Sequence, residues 1–234
     1  MPHATPAEKK KKSKKKADDS TDHPDETALP ADFPIVFNMG ETSPDPKEKI
    51  RTIGLYGIIK EDVCAELVYS LIILDKLGTH AELKDPEDLK SEEIITYEPI
   101  EFIISSYGGS AADMFSVYDI MRDIRDRCEI HTHGLGKVMS GAVLLLAAGT
   151  KGKRKIGRHC RVMIHGVVSG QHGHLSDLEN EMAEAKWTQQ QYIRALAKET
   201  NMGQKYIKKL MDKKMNVYLT AQEAVDLGIV DIIT

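Results

Sequence analysis

Gly134-Leu-Gly-Lys-Val-Met-Ser-Gly-Ala-Val-Leu-Leu-Leu-Ala-Ala-Gly149 decides the reading of this chain. A polar turn with two glycines runs into an apolar segment, and one small hydroxyl residue, Ser140, stands at the junction. From Ala142 to Ala148 every side chain is apolar. This predicts a helix buried on all sides, with Gly149 as its C-terminal cap. A buried helix cannot leave its first N–H groups unpaired, and its N-terminus carries partial positive charge. Ser140 therefore admits two readings. It caps the helix, as serine commonly does, or it is a nucleophile with backbone N–H groups nearby to receive an oxyanion.

The flanking segments bear on that choice. Upstream, Ile100-Glu-Phe-Ile-Ile104 is a compact strand, followed by the turn Ser105-Ser-Tyr-Gly-Gly-Ser110. Residues 111–127 form a helix with Met114, Val117, Tyr118, Met121 and Ile124 on one face, and Ile130-His-Thr-His133 is the strand that leads to Ser140. Downstream, Arg161-Val-Met-Ile-His165 is an apolar strand that ends on His165. Nearer the start, Arg51 to Tyr56 reads as a strand. Residues 61–77 read as an amphipathic helix through Val63, Leu67, Leu71 and Leu74, closed by Gly78. Strands alternating with helices predict an α/β fold with a mostly parallel sheet and right-handed crossovers. Sites in such sheets form at the carboxyl ends of strands. Gly108 with Gly109, Ser140 and His165 all follow or finish strands, so three candidate catalytic elements converge on one edge.

The remaining segments are more local. Residues 1–31, with a lysine block from Lys9 to Lys16 and then an acidic stretch, read as a disordered charged tail, and 32–234 as the folded domain. Residues 33–37 suggest a short strand and 43–46 a turn. Residues 79–98, polar and acidic, read as a surface excursion. Val168 to His174 projects from the core. Ser176-Asp-Leu-Glu179 reads as a capping box that opens a long helix to about Glu199, and a shorter helix spans 202–214. Thr220-Ala-Gln-Glu223 is a second capping box, its helix closed by Gly228, and 229–233 is a final strand.

Composition narrows the classes. Of the 234 residues 41% are hydrophobic, enough for a proper core, and a net charge of −4 gives no global pull toward nucleic acid. No apolar run approaches the ~18 residues of a membrane span, and none follows the N-terminal lysines as a signal peptide requires. Cys64, Cys128 and Cys160 are scattered and odd in number, which implies reduced thiols in a cytoplasm-like compartment. His131 shares a strand face with His133, but no Cys or carboxylate is spaced to complete a metal site. No metal and no cofactor is expected.

A set of motifs follows one another in order: Tyr107-Gly-Gly-Ser110, Gly136-Lys-Val-Met-Ser140, Ala147-Ala-Gly-Thr-Lys-Gly-Lys-Arg154, Arg161-Val-Met-Ile-His165, Gly170-Gln-His-Gly-His-Leu-Ser-Asp177, and Leu219-Thr-Ala-Gln-Glu-Ala-Val-Asp-Leu-Gly-Ile-Val-Asp231. Together, from about Arg51 to the C-terminus, they resemble the proteolytic subunit of the Clp protease. The resemblance implies a crotonase-like α/β fold with a projecting handle helix and a serine endopeptidase that cleaves unfolded polypeptides. It also implies a homo-oligomeric ring enclosing a chamber, a double heptamer among its forms, and an AAA+ unfoldase as partner. It implies a cytoplasmic setting, or the stroma or matrix of an organelle. By position it makes Ser140 the nucleophile, His165 the general base, Asn216 the third member, and Gly109 and Gly141 the N–H donors of the oxyanion hole. The chain departs from the family's usual pattern at Tyr107 (proline), Gly141 (methionine), Gly166-Val167 (glutamine-proline) and Asn216 (aspartate). These departures motivate an alternative, a non-catalytic or weakly active ring subunit that assembles with an active paralogue. A third reading, a small-molecule enzyme on the same fold, would need no Ser/His pair.

Overall fold

The computed structural model describes residues 50–88, 90–170, 172–212 and 215–234. The expected tail over 1–31, the strand at 33–37 and the turn at 43–46 lie outside them. The main sheet runs β1 (Thr52–Ile59), β4 (Ile100–Gly109), β5 (Ile130–Met139), β6 (Lys155–Ile156) and β9 (Ile232–Ile233), every neighbour parallel. The far half of β5 also pairs in parallel with β7 (Arg161–Ile164), which carries the short antiparallel β8 (Val217–Leu219). Helices α1 (Glu61–Leu77), α2 (Ala111–Arg125), α3 (Gly141–Ala147), α4 (Leu175–Glu199), α5 (Gln204–Met211) and α6 (Ala221–Asp226) complete the domain. Phe102, Ile104, Leu67, Leu71, Met121 and Leu144 are among its fully buried side chains.

Four sequence expectations need correction. Ser105–Ser110 is no turn: β4 continues to Gly109, where Ser110 caps α2 through a hydrogen bond from Asp113 N. Likewise Gly134-Leu-Gly136 stays within β5. Serine and glycine have low strand propensity, but here the neighbouring strands supply backbone partners, Ile58 for Gly108 and Val138 for Ser106. Gly149 is no left-handed cap, because it is absent from the positive-φ glycines. A Cβ there would meet Thr132 Oγ1 at 2.5 Å, so close packing is what selects glycine. The capping box at Ser176 does not form: the N-cap of α4 is His174, two residues earlier, with no side-chain cap. The box at Thr220 and Glu223 does form, and Gly228 follows its helix at φ 69°.

Residues 79–98 contain an antiparallel hairpin, β2 (Thr79–Leu83) against β3 (Glu93–Tyr97). Arg51 closes its base by donating to the carbonyls of Leu74, Glu98 and Pro99. Gly78 is required beneath it, since a Cβ there would lie 2.2 Å from the guanidinium.

α3 is buried along its whole length, so its final carbonyls need partners. Thr132 Oγ1 donates to Leu146 O (2.8 Å), Arg154 Nη1 to Ala147 O (3.2 Å) and Arg125 Nη1 to Ala148 O (2.6 Å). Buried Glu199 gathers the Tyr118 hydroxyl, Arg122 and Arg125, while Arg154 is held by Asp231. This network fixes the far end of α3, and so the near end at Ser140.

Burial would raise the Asp231 carboxyl, but hydrogen bonds from Arg154 and the Gly152 N–H outweigh it and hold it below the ordinary aspartate range. Its stabilisation is therefore complete above the unfolded value of about 3.9 and is lost as pH falls through the lower folded value. Asp231→Asn should be less stable than the parent in urea at pH 7, with the gap closing only below about pH 4. An equal gap at pH 7 and pH 3 would refute this.

Candidate active site

The site starts from a conformation. Ser140, between β5 and α3, has φ 55° and ψ −127°, and is the only non-glycine residue with positive φ among the described residues. Such a residue costs of order 1–3 kcal/mol and persists only where its surroundings over-determine it. Its N–H donates to Met163 O at 2.8 Å. Its carbonyl accepts from Val143 N at 3.1 Å and from the Tyr192 hydroxyl at 3.0 Å. Its own side chain makes no cap to α3, so the capping reading fails and Oγ is left for another partner.

That partner is His165, whose Nε2 lies 2.8 Å from Ser140 Oγ. The sheet dictates the meeting. Met139 and Met163 are in register on β5 and β7. Residues two apart on a strand share a face, so His165 follows Met163 at the strand end that faces the elbow.

The glycine pair closes the other side. Gly108 has φ 85°, and a Cβ on it would lie 2.5 Å from Ser140 Cβ, 2.7 Å from Met139 O and 3.1 Å from the Gly141 nitrogen. A Cβ on Gly109 would meet Ile59 O at 2.2 Å. The Gly108 N–H is taken by Ser106 Oγ at 3.0 Å. Gly141 opens α3, where its N–H has no partner within the helix. Gly108, Gly109, Ser140, Gly141 and His165 all line one cleft of about 460 Å³, walled by Ile58, Met114 and Val167. Tyr107 stands at its mouth, 59% exposed, with the Lys137 ammonium 4.4 Å from the ring centroid.

Of the residues expected at the site, four thus come together around one cleft. Asn216 is placed differently. It is exposed, just before β8, and lines an adjoining hollow of about 460 Å³ that His165 also borders. Among the described residues no hydrogen bond joins the two side chains. Asp212 lines the same hollow, but its carboxylate accepts from Lys208 at 2.5 Å. Sequence reasoning passed over Asp212, Tyr192 and Gln189, whose Oε1 holds the Val167 N–H at 3.1 Å. Nothing in helical periodicity shows where the Tyr192 hydroxyl ends up.

Gly108→Ala should lower kcat/KM on a peptide at least about 100-fold, because displacements of about 1 Å at a reacting group cost that much. The same variant should be labelled at Ser140 by a fluorophosphonate at a correspondingly reduced rate. Unchanged labelling would mean that the Gly108 contact does not shape the site.

The Clp protease family profile matches residues 89–234. The ATP-dependent Clp protease proteolytic subunit 1 of Prochlorococcus marinus subsp. pastoris is 32% identical over 183 residues, 78% of this chain and 83% of that protein. The ATP-dependent Clp protease proteolytic subunit 1 of Mycolicibacterium paratuberculosis is 33% identical over 201 residues, 83% of this chain and 84% of that protein. Subunit 2 of Mycobacterium tuberculosis is 33% identical over 201 residues, covering 83% of each chain. The chain belongs to the Clp protease family.

Proposed function

We propose that this Clp-family serine endopeptidase cleaves peptide bonds through Ser140 and His165. The observation that carries the proposal is the 2.8 Å contact between His165 Nε2 and the hydroxyl of a serine held in a strained elbow. Serine is a weak nucleophile until an adjacent imidazole takes its proton. In the reaction, Ser140 Oγ attacks the substrate carbonyl carbon as His165 accepts that proton. The oxyanion that forms accepts hydrogen bonds from the Gly109 and Gly141 N–H groups. Collapse breaks the C–N bond, and the imidazolium returns the proton to the leaving amine. Water, deprotonated by the same imidazole, then releases the acyl group.

Asn216 is proposed as the third member. Its carbonyl oxygen can hold the proton-bearing ring nitrogen of His165, although it offers no charge to the imidazolium. The hollow shared by the two residues supports the pairing. The alternative is a non-catalytic or weakly active ring subunit that assembles with an active paralogue; the Ser140–His165 contact argues against its non-catalytic form and against a small-molecule enzyme that needs no such pair.

The substrates of this reading are unfolded polypeptides admitted to a ring of like subunits by an AAA+ unfoldase. The first half of α4 suits a handle at a subunit contact, with Leu175, Met182 and Trp187 all exposed. No helix among the described residues is long and apolar enough to cross a membrane. On the same reading residues 1–31 are dispensable for peptide hydrolysis and 79–98 is an insertion in the domain.

Ser140→Ala should abolish acyl-enzyme formation and fluorophosphonate labelling, and His165→Ala should bring peptidase activity down to near the same level, since members of such a unit are not additive. A Ser140→Ala protein with normal rates would end the peptidase reading. Asn216→Ala should lower kcat/KM, while Asn216→Asp should raise it or leave it unchanged. If Asn216→Ala matches the parent in an intact particle, something else orients His165.

A further inference from the structure

We infer that Tyr192 is a positioning residue that aims the Gly141 N–H at the developing oxyanion by holding the carbonyl of Ser140. The inference rests on the peptidase reading above. Tyr192 lies in the buried second half of α4, 6% exposed, and its hydroxyl donates to the Ser140 carbonyl oxygen at 3.0 Å. That carbonyl and the Gly141 N–H belong to one planar trans peptide and point in opposite directions. Whatever fixes the direction of the C=O therefore fixes the direction of the N–H.

The peptide has reason to move without such a clamp. Ser140 sits at φ 55°, outside the common wells of a residue with a Cβ. Gly141, with no Cβ, tolerates almost any rotation on the other side. A swing of this one peptide plane is the cheapest release of the strain, and it would carry the N–H off the reacting carbonyl. Val143 N already bonds the same oxygen at 3.1 Å from within the first turn of α3. Tyr192 adds a donor from a different element, so both lone pairs of that oxygen are engaged. A hydrogen bond to the carbonyl also polarises the peptide and strengthens its N–H as a donor. Burial pushes the Tyr192 hydroxyl well above the ordinary tyrosine range, so it keeps its proton at any working pH.

Tyr192→Phe removes one oxygen atom and keeps the ring. Turnover of a fluorogenic peptide is expected to fall about tenfold, the worth of one hydrogen bond expressed in the transition state, with KM within about twofold of the parent. The inhibition constant of a peptide boronate, whose tetrahedral adduct occupies the oxyanion position, should rise by a similar factor. The pH profile of kcat/KM should keep its shape, because Tyr192 transfers no proton. Melting temperature and particle mass are measured on the same samples. Parental kcat in Tyr192→Phe overturns the inference, and so does a lower kcat with unchanged boronate affinity, which would make the hydroxyl merely structural. Tyr192→Met, lacking both ring and hydroxyl, must lose boronate affinity at least as far. Parental affinity there overturns the inference even if the phenylalanine protein fails to assemble. If the parent itself cleaves no peptide and takes no fluorophosphonate at Ser140, the peptidase reading falls and this inference with it. If the parent does both and Tyr192→Phe is unaltered, only the inference falls.

Discussion

A serine must stand at φ 55° for this site to exist, and much of the surrounding structure serves that requirement. The elbow at Ser140 turns the chain from β5 into α3 within a single residue, leaving Oγ exposed to the cleft. The strain, of order 1–3 kcal/mol, is offset locally. The same bond from Ser140 N to Met163 O that anchors the elbow also ties β5 to β7. One contact thus stabilises the strained residue and sets the distance at which His165 meets it.

The elbow is held from the far end as well. A seven-residue helix has little stability of its own, and α3 depends on burial and on partners for its last carbonyls. Those partners come from β5, α2 and the link before β6, through Thr132, Arg125 and Arg154. Arg125 and Arg154 in turn converge on the end of α4, one on the Glu199 carboxylate and the other on its backbone carbonyl. α4 also supplies Tyr192 to the near end of α3. The long helix therefore grips the short one at both ends, and a shift of α4 would be felt at Ser140.

Much of this was legible in the sequence. An apolar run bounded by Ser140 and Gly149 could only be a buried helix, and the strand–helix alternation placed Gly108, Ser140 and His165 at one edge. The extent of β4 and β5 was not legible, because their last residues are serines and glycines whose strand conformation comes from the neighbouring ladder. β8 was missed for a related reason: three residues form a strand only because β7 lies beside them. Gly149 was read as a cap because local sequence cannot show that Thr132, from another strand, leaves no room for a Cβ. The place of Tyr192 was not legible either, since its partner is a backbone carbonyl 52 residues away.

The distribution of charge completes the picture. On the proposed mechanism, proton transfer from Ser140 leaves an imidazolium on His165, and among the described residues no carboxylate lies within ion-pair distance of that ring. A carboxylate about 4 Å away would be worth up to ~4 kcal/mol in a partly screened setting. Asn216 is neutral, and Asp212 is engaged by Lys208. On the proposed mechanism the positive end of the transition state therefore has no carboxylate charge from the described residues to offset it. In the same proposal the negative end is treated differently: its donors are backbone N–H groups held by the close approach of Gly108 to Ser140 and by the hydrogen bonds on the Ser140 carbonyl. Fixed donors lose little to reorganisation when the oxyanion forms. On the proposed mechanism, a site with so little charge to offer its base relies on backbone geometry for its transition-state stabilisation. On that mechanism the strain at Ser140 and the glycines packed against it serve to place these donors.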